Sequence, residues 1–435
     1  MPSIARLDAS RLRGRAVVRD PGEPHRAATP LELFFDLTFV VAVSRAAAAL
    51  HHELAADHLA AGVVGFVGVF FAVWWAWMNY TWFASAHDSD DVPHRLLTLV
   101  QMAGVLVLAA GVTGAVEQDD WLVATIGYGI MRAGLVVSWL RVARDEPAVR
   151  ARALRYAAGV SALQVLWFVR LALPAGLGVA GFVLLAAGEL ALPVWAERAA
   201  GAPVFHPTHI EERYGLFTII VLGESVLSAA TGFQVALDEG GLTADLLAVG
   251  LGGLVLAFTA WWLYFYHPGH LTPSPRQAFR WGYAHVVIFA ALAAMGAGLH
   301  VATEAVTGHA DARVAALAVA VPVAGYLLGL ALVMVITGTR ATDQRVYPKL
   351  GGATAMLVLG ASASVAVTVA GCALVMVVMA GWMVASTVEG GQAVAVTGHG
   401  VAQLAGDDHR DTPRHRHVAV DRPLRDADTR RGRSG

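Results

Sequence analysis

The chain has 435 residues and a formal net charge of −2; 57 % of its residues are apolar or aromatic and only 15 % are charged. Soluble domains carry roughly 25 % charged residues, so this composition excludes a soluble enzyme, a nucleic-acid-binding module and a disordered scaffold, and it requires lipid around the outer face. Cys372 is the single cysteine, which excludes an intramolecular disulfide and a thiolate metal cluster.

Both ends of the chain are polar and rich in arginine. Six arginines fall within the first 26 residues, and no apolar stretch precedes residue 31, which argues against a cleavable signal peptide. From residue 389 onward, arginine again alternates with aspartate and histidine. We therefore predict disordered tails at residues 1–30 and 389–435.

The region between the tails consists of apolar segments of about 20 residues, the length that crosses a bilayer as a helix. These segments lack the alternation of strands, so we predict an all-α, polytopic integral membrane protein with about twelve transmembrane helices. The predicted spans are 31–50, 60–83, 95–116, 121–141, 153–172, 177–197, 212–231, 244–266, 280–302, 313–337, 350–368 and 371–388. The last two form one apolar run, in which Gly371 is the predicted turn.

The distribution of basic residues predicts the orientation of these spans. All but four of the 31 Lys and Arg residues fall in the tails or in loops on the same side as the tails. The exceptions are Arg45, Arg132 and Arg170 inside spans, and Arg313 in a loop on the other side. Because cytoplasmic loops are enriched in Lys and Arg, we predict that both termini are cytoplasmic and that the number of spans is even.

The two halves of the chain share a short, ordered similarity. Residues Glu32–Val41 align without gaps with Glu212–Val221, and the aromatic runs Trp74–Trp77 and Trp261–Tyr264 follow at comparable distances. We interpret this as a duplication, with a first six-helix repeat at 31–200 and a second at 201–388. Parallel repeats of this kind are a known transporter design. The alternative is chance similarity between two apolar helices.

The same two stretches resemble the bacterial low temperature requirement A family. They are E-L-F-F-D-L-T-F at Glu32–Phe39 and E-R-Y-G-L-F-T-I-I-V-L-G-E at Glu212–Glu224, and the resemblance extends over roughly residues 30–390. It implies an integral protein of the bacterial inner membrane tied by name to growth in the cold, but it supplies no reaction. A looser resemblance, carried by Phe34-Phe35-Asp36, is to the lysosomal potassium channel family.

Ionisable side chains inside spans are expensive to insert and face the protein interior or a wet cavity. Glu32 and Asp36 lie four residues apart on one helix face, where they could concentrate cations or exchange protons. The alternative is that they pair with Arg213 or with a loop arginine and fix helix packing. The candidate ion-pathway residues are Glu32, Asp36, Arg45, Arg132, Glu189, Glu212, Arg213 and Glu224; the embedded residues also include Arg170, His285 and His300.

The repeat alignment predicts one specific ion pair. Arg45 lies ~20 Å and Glu224 ~18 Å from the start of their predicted helices, at 1.5 Å per residue. Pseudo-symmetry would bring the first helices of the two halves together at the same depth. We therefore predict that Arg45 pairs with Glu224 in the middle of the bundle, with Arg132 as the alternative partner.

Three further groups receive structural interpretations. His51, His52, Glu53, Asp57 and His58 offer zinc-ligand types, but their spacing matches no defined site, so we predict no metal and no cofactor. The acidic group around Asp88–Asp91 is interpreted as a solvated loop that caps the following helix rather than as a divalent-cation site. The run from Trp74 to Trp82 is interpreted as an interfacial aromatic belt.

These features favour a transporter or ion-coupled permease that acts on an unknown small solute or ion in the lipid bilayer, without a nucleic-acid partner. The alternatives are a cation channel, or a membrane protein without transport activity such as an enzyme or assembly factor. No catalytic constellation is visible in the sequence, so we expect no enzymatic activity. The substrate and the oligomeric state are not set by the sequence.

Overall fold

The structure is a computed structural model. It describes residues 14–16, 18, 27–87, 89–198, 205–266, 271, 274–339, 343 and 345–407, with backbone alone at positions 175, 275 and 387–407. The residues up to Gly381 form one compact unit, and a second unit begins at Trp382. Most of the two predicted tails lies outside the described residues.

The described chain is helical, with no strand among these residues, as the composition predicts. The helices are α1 (Pro30–Ala55), α2 (Leu59–His87), α3 (Val92–Ala110), α4 (Val112–Glu117), α5 (Leu122–Asp145), α6 (Arg150–Arg170), α7 (Ala175–Glu197), α8 (Pro207–Gly240), α9 (Ala244–Phe265), α10 (Pro275–Thr307), α11 (Ala312–Ile336), α12 (Tyr347–Ser362) and α13 (Val365–Asp407). A single 3₁₀ turn, Pro147–Val149, joins α5 to α6.

In the described part of the chain, ten helices are long and apolar enough to cross a membrane. Helices α4, α6 and α12 are outside this set, because α6 carries four arginines and α4 and α12 have only 6 and 16 residues. A polytopic membrane protein is therefore supported, whereas the predicted count of twelve spans and the repeat architecture are not confirmed.

The apolar run at 350–388 contains two helices, but the predicted turn at Gly371 is wrong. Helix α12 ends at Ser362 and α13 begins at Val365, so the break lies at residues 363 and 364 and Gly371 is inside α13. Ala363 takes an extended conformation at this break. Helix α13 continues to Asp407, so the predicted start of the second tail at residue 389 falls within it.

Close helix packing depends on small residues. At Gly298 of α10, an added Cβ would lie 2.0 Å from the backbone oxygen of Ala318 on α11. At Gly127 of α5, it would lie 2.2 Å from the backbone nitrogen of Leu108 on α3. Small residues at helix contacts let backbones approach each other, which is the usual packing mode in membranes.

The aromatic run on α2 is buried, so its interpretation as an interfacial belt is wrong. Trp74, Trp75 and Trp77 are each at most 1 % exposed, whereas Trp261 and Trp262 of α9 are 47 % and 45 % exposed. The buried indole N–H groups of the α2 tryptophans need hydrogen-bond acceptors. Two of these N–H groups donate to carboxylates inside the bundle, as described below.

Candidate functional site

The first candidate site is a group of four side chains that we call the charge cluster: Glu32 and Asp36 of α1, and His209 and Arg213 of α8. Helix α1 starts at this point because Thr29 and Glu32 form a capping box. The Thr29 amide donates to Glu32 Oε2 at 2.8 Å, and the Glu32 amide donates to the Thr29 hydroxyl at 3.2 Å. The cap fixes one oxygen of Glu32 and leaves Oε1 directed at α8.

Arg213 joins the two carboxylates of α1. Its Nε donates to Asp36 Oδ2 at 2.9 Å and its second terminal nitrogen contacts Asp36 Oδ1, a bidentate arrangement. Its remaining terminal nitrogen lies 3.0 Å from Glu32 Oε1, and His209 Nε2 lies 3.2 Å from that same oxygen. The structure therefore contains the pairing of Glu32 and Asp36 with Arg213, which the sequence left open as an alternative.

The charge cluster is enclosed by the aromatic face of α2. Trp77 donates its indole N–H to Asp36 Oδ1 at 2.7 Å, and the Arg213 guanidinium also reaches the Thr81 hydroxyl at 3.4 Å. None of the four cluster side chains is more than 1 % exposed. Charged hydrogen bonds are stronger in such a low-dielectric site than in water, so the cluster fastens α1, α2 and α8 together.

Another buried carboxylate, Glu189 of α7, lies on the other side of α2. Arg132 of α5 contacts Glu189 Oε2, which also accepts the Trp75 indole N–H at 2.9 Å, while Oε1 accepts the Trp167 indole N–H at 2.9 Å. Arg132 donates further to the Tyr128 hydroxyl at 3.1 Å. The predicted pathway residues Arg132 and Glu189 are therefore partners of each other, in a cluster separate from Glu32 and Asp36.

The predicted ion pair between Arg45 and Glu224 is wrong. In the described part of the chain these two residues form no ion pair; the Ser44 side chain, not Arg45, lies near the Glu224 carboxylate. Arg45 is one residue beyond Ser44, on the exposed stripe of α1. The alternative partner for Glu224, Arg132, is occupied by Glu189.

Glu212 also lies apart from the charge cluster, although it is adjacent to Arg213 in sequence. Consecutive helical residues point about 100° apart, so Glu212 is exposed while Arg213 is buried. Its Oε1 accepts the Ala28 amide at 3.3 Å. Glu212 therefore holds the segment before α1 against α8.

Asp91 caps α3, as the sequence predicts, but it is buried rather than solvated. Its Oδ1 accepts the His94 amide at 2.9 Å, and its Oδ2 is paired with Arg141 of α5. Burial alone would raise the pKa of Asp91, but the donors His94 and Arg141 outweigh burial and hold that pKa below its ordinary value. Asp88 of the same predicted group lies outside the described residues.

The histidine-rich group after the first span is divided by the structure. His58 turns back to Glu53 at 3.4 Å, whereas His51 faces α10, where its Nε2 lies 3.0 Å from Glu304 Oε1 and its ring stacks on His300. Sequence spacing could not reveal this grouping, because Glu304 is 253 residues from His51.

Other partners were also missed from the sequence. The sequence patterns assign no role to His209, Trp167 or Tyr128. One signal was available: Thr29-Pro30-Leu31-Glu32 has the S/T-x-x-E spacing of a capping box, which marks the start of α1 and assigns one oxygen of Glu32.

Long apolar helices around buried, hydrogen-bonded charges define a multi-pass membrane protein, since lipid-embedded helices keep ionisable side chains inside the bundle. The family model for the bacterial low temperature requirement A protein (LtrA) matches residues 27–387, and the chain belongs to that family. The chain is also similar to a protein of Rhizobium meliloti (strain 1021) called uncharacterized protein RA0937, with 28 % identity over 243 residues. That match covers 54 % of this chain and 57 % of the relative.

Proposed function

We propose that this protein is an ion-coupled transporter of a small solute, in which the charge cluster holds the coupling proton. The observation that carries the proposal is the charge balance of four buried side chains. Arg213 stays protonated at all physiological pH values, while Glu32 and Asp36 together carry two negative charges when ionised. With a neutral His209, the cluster has a net charge of −1.

A net charge in an apolar interior is expensive unless it is compensated. One proton, taken up by His209 or by a carboxyl group, makes the four side chains neutral overall. Imidazole changes charge near neutral pH more readily than the other side chains. The Glu32–His209 contact at 3.2 Å is therefore the place where we expect the proton to bind and leave.

A cavity in the same unit supports a solute route. It has a volume of about 300 Å³ and lies between α8, α9 and α10. Its lining includes Phe233, Met295 and Leu299, together with the polar residues Ser225 and Thr303. This size is at the lower end for small-molecule sites, so the cavity favours a small, largely apolar solute.

The test begins with the wild-type protein in nanodiscs and a library of ions and metabolites, scored by thermal stabilisation, because a ligand that binds only the folded state raises its stability. Compounds that stabilise the protein are then offered to proteoliposomes. Asp36→Asn should abolish or uncouple their uptake, while the matched control Glu212→Gln, an exposed carboxylate beside Arg213 in sequence, should transport normally. Identical uptake and identical pH dependence in Asp36→Asn and the wild type would contradict the proposal.

We also propose that the protein lies in the bacterial inner membrane with both termini in the cytoplasm. The support is the one-sided distribution of Lys and Arg. Reporters that are active on only one side of the membrane, fused after residues 25 and 395, should both report the cytoplasm. A periplasmic signal from either fusion would overturn this orientation.

A further inference from the structure

At the end of the bundle opposite the charge cluster, three potential metal ligands meet. We call them the His51 site: His51 near the end of α1, and His300 and Glu304 near the end of α10. His51 Nε2 lies 3.0 Å from Glu304 Oε1. The His51 and His300 rings lie parallel, with centroids 3.8 Å apart and an interplanar angle of 4°. The prediction of no metal rested on the spacing of His51 and its neighbours in sequence, a group to which His300 and Glu304 do not belong.

The site is built by the packing of three helices. His300 and Glu304 are four residues apart and therefore share a face of α10, and α1 packs against that face. Gly232 of α8 lies on the third side of the site. A Cβ added to Gly232 would lie 2.5 Å from Cδ2 of His300. A glycine at this position is what admits the imidazole between α8 and α1.

The donor set is that of an open metal site. Each of the three residues offers one ligand atom, and these atoms all lie within 4.8 Å of one another. Two imidazoles with one glutamate are a known three-ligand set for zinc, with a fourth position open to water. Zinc at 2.0–2.1 Å from each ligand places the ligand atoms roughly 3.4 Å apart. Because a metal lies in the plane of each imidazole that binds it, zinc binding requires the His51 and His300 rings to rotate out of their parallel stack.

The chemistry selects the class of ion. Imidazole suits zinc, copper and nickel, whereas calcium and magnesium take oxygen ligands. Both ends of the His51–Glu304 contact are partly accessible, with side chains 16 % and 28 % exposed, so an ion has a route of entry. We propose that the His51 site binds one divalent transition-metal ion of the zinc class and thereby clamps the end of α1 to α10.

The proposal is tested by zinc titration of the purified full chain, prepared without a polyhistidine tag and stripped with a chelator. Because the chain has 17 histidines, variants decide which sites contribute. His300→Gln and Glu304→Gln should each remove one high-affinity equivalent or weaken it at least tenfold. The matched control is His52→Gln, which changes an exposed histidine adjacent to His51 and should bind like the wild type. Equal zinc affinity in His300→Gln and the wild type would overturn the proposal.

A second measurement needs no variant and so remains decisive if the variants do not fold. The wild type is treated with diethyl pyrocarbonate with and without equimolar zinc, and modified histidines are mapped by mass spectrometry. Zinc should protect His51 and His300 and leave His52 and His309 reactive. Unchanged reactivity of His51 and His300 would show that the His51–Glu304 contact and the stacking of the two rings are packing contacts alone, which would overturn the metal site.

Discussion

Trp75 and Trp77 of α2 donate their indole N–H groups in opposite directions, to Glu189 and to Asp36 respectively. Two residues along a helix correspond to about 200° around its axis, so the pair bridges two buried carboxylates that belong to different clusters. Helix α2 thus connects the Arg132–Glu189 contact with the charge cluster. A run that resembles a membrane-interface belt in the sequence is an internal hydrogen-bonding element.

Replacing either tryptophan with phenylalanine should destabilise the protein. Each change removes one donor to a buried carboxylate, and hydrogen bonds to charged groups contribute about 1.5–3 kcal/mol. Trp75→Phe and Trp77→Phe should therefore lower the thermal unfolding midpoint in nanodiscs. Trp262→Phe is the control, since Trp262 is 45 % exposed, and equal midpoints in all three variants would contradict this role.

Separating Asp36 from Arg213 should be more damaging than removing both. Loss of Arg213 leaves two buried carboxylates without their cation, and loss of Asp36 leaves the Arg213 guanidinium without its bidentate acceptor; breaking a buried pair in this way costs about 3–5 kcal/mol. Asp36→Ala and Arg213→Ala should each destabilise strongly, and the double variant should recover part of the loss. A double-mutant cycle on unfolding midpoints measures this coupling; strict additivity would argue that the bidentate contact does not form.

Arg45 and Glu224 should behave independently. Because Ser44, not Arg45, contacts Glu224, the effects of Arg45→Ala and Glu224→Ala should add within about 0.5 kcal/mol, as expected for sites without a shared interaction. Ser44→Ala combined with Glu224→Ala should instead show coupling. A large coupling for Arg45 with Glu224 would restore the ion pair predicted from the sequence.

Asp91 should make stability depend on pH on the acidic side. Its pKa is lower in the folded state than in the unfolded chain, so the contribution of Asp91 is present above the unfolded pKa and is lost as the pH falls through the folded pKa. Asp91→Asn should flatten the fall of the unfolding midpoint at acidic pH. Asp90→Asn is the control, because Asp90 pairs with Arg95 at the surface, where ion pairs contribute little; an unchanged acid profile in Asp91→Asn would refute this assignment.

Gly298→Ala should disrupt the contact of α10 with α11. The added methyl group would overlap the backbone oxygen of Ala318, and overpacking of this kind costs typically about 1–3 kcal/mol. Gly351→Ala is the matched control, since nothing lies within 4 Å of the position of its Cβ. The comparison of unfolding midpoints checks the close approach, and an unaffected Gly298→Ala would contradict it.

The sequence predicts the all-helical membrane fold because the length and polarity of each segment are local properties. It also brings Arg213 into consideration as a partner for Glu32 and Asp36, since all three lie at the starts of similar helices. The partners of Glu189 and His51 could not be predicted in this way. Their contacts depend on how helices distant in sequence rotate and pack, as the packing of His300 against Gly232 shows.

The Arg45–Glu224 prediction was wrong for a related reason. Equal depth in two helices does not fix the rotation of each helix about its axis, and one residue changes the direction of a side chain by about 100°. Ser44 therefore lies near Glu224, while Arg45 lies on the exposed stripe of α1.

Proton movement accompanying solute uptake tests the central proposal most directly. Proteoliposomes loaded with a pH-sensitive dye would be given a solute that stabilises the wild-type protein, in the presence and absence of a proton ionophore. The proposal predicts a solute-dependent pH change in the lumen with the wild type and with Glu212→Gln, and uptake without that pH change, or no uptake, with His209→Gln. Solute uptake by the wild type without proton movement, or coupled uptake by His209→Gln equal to that of the wild type, would contradict the assignment of the coupling proton to the charge cluster.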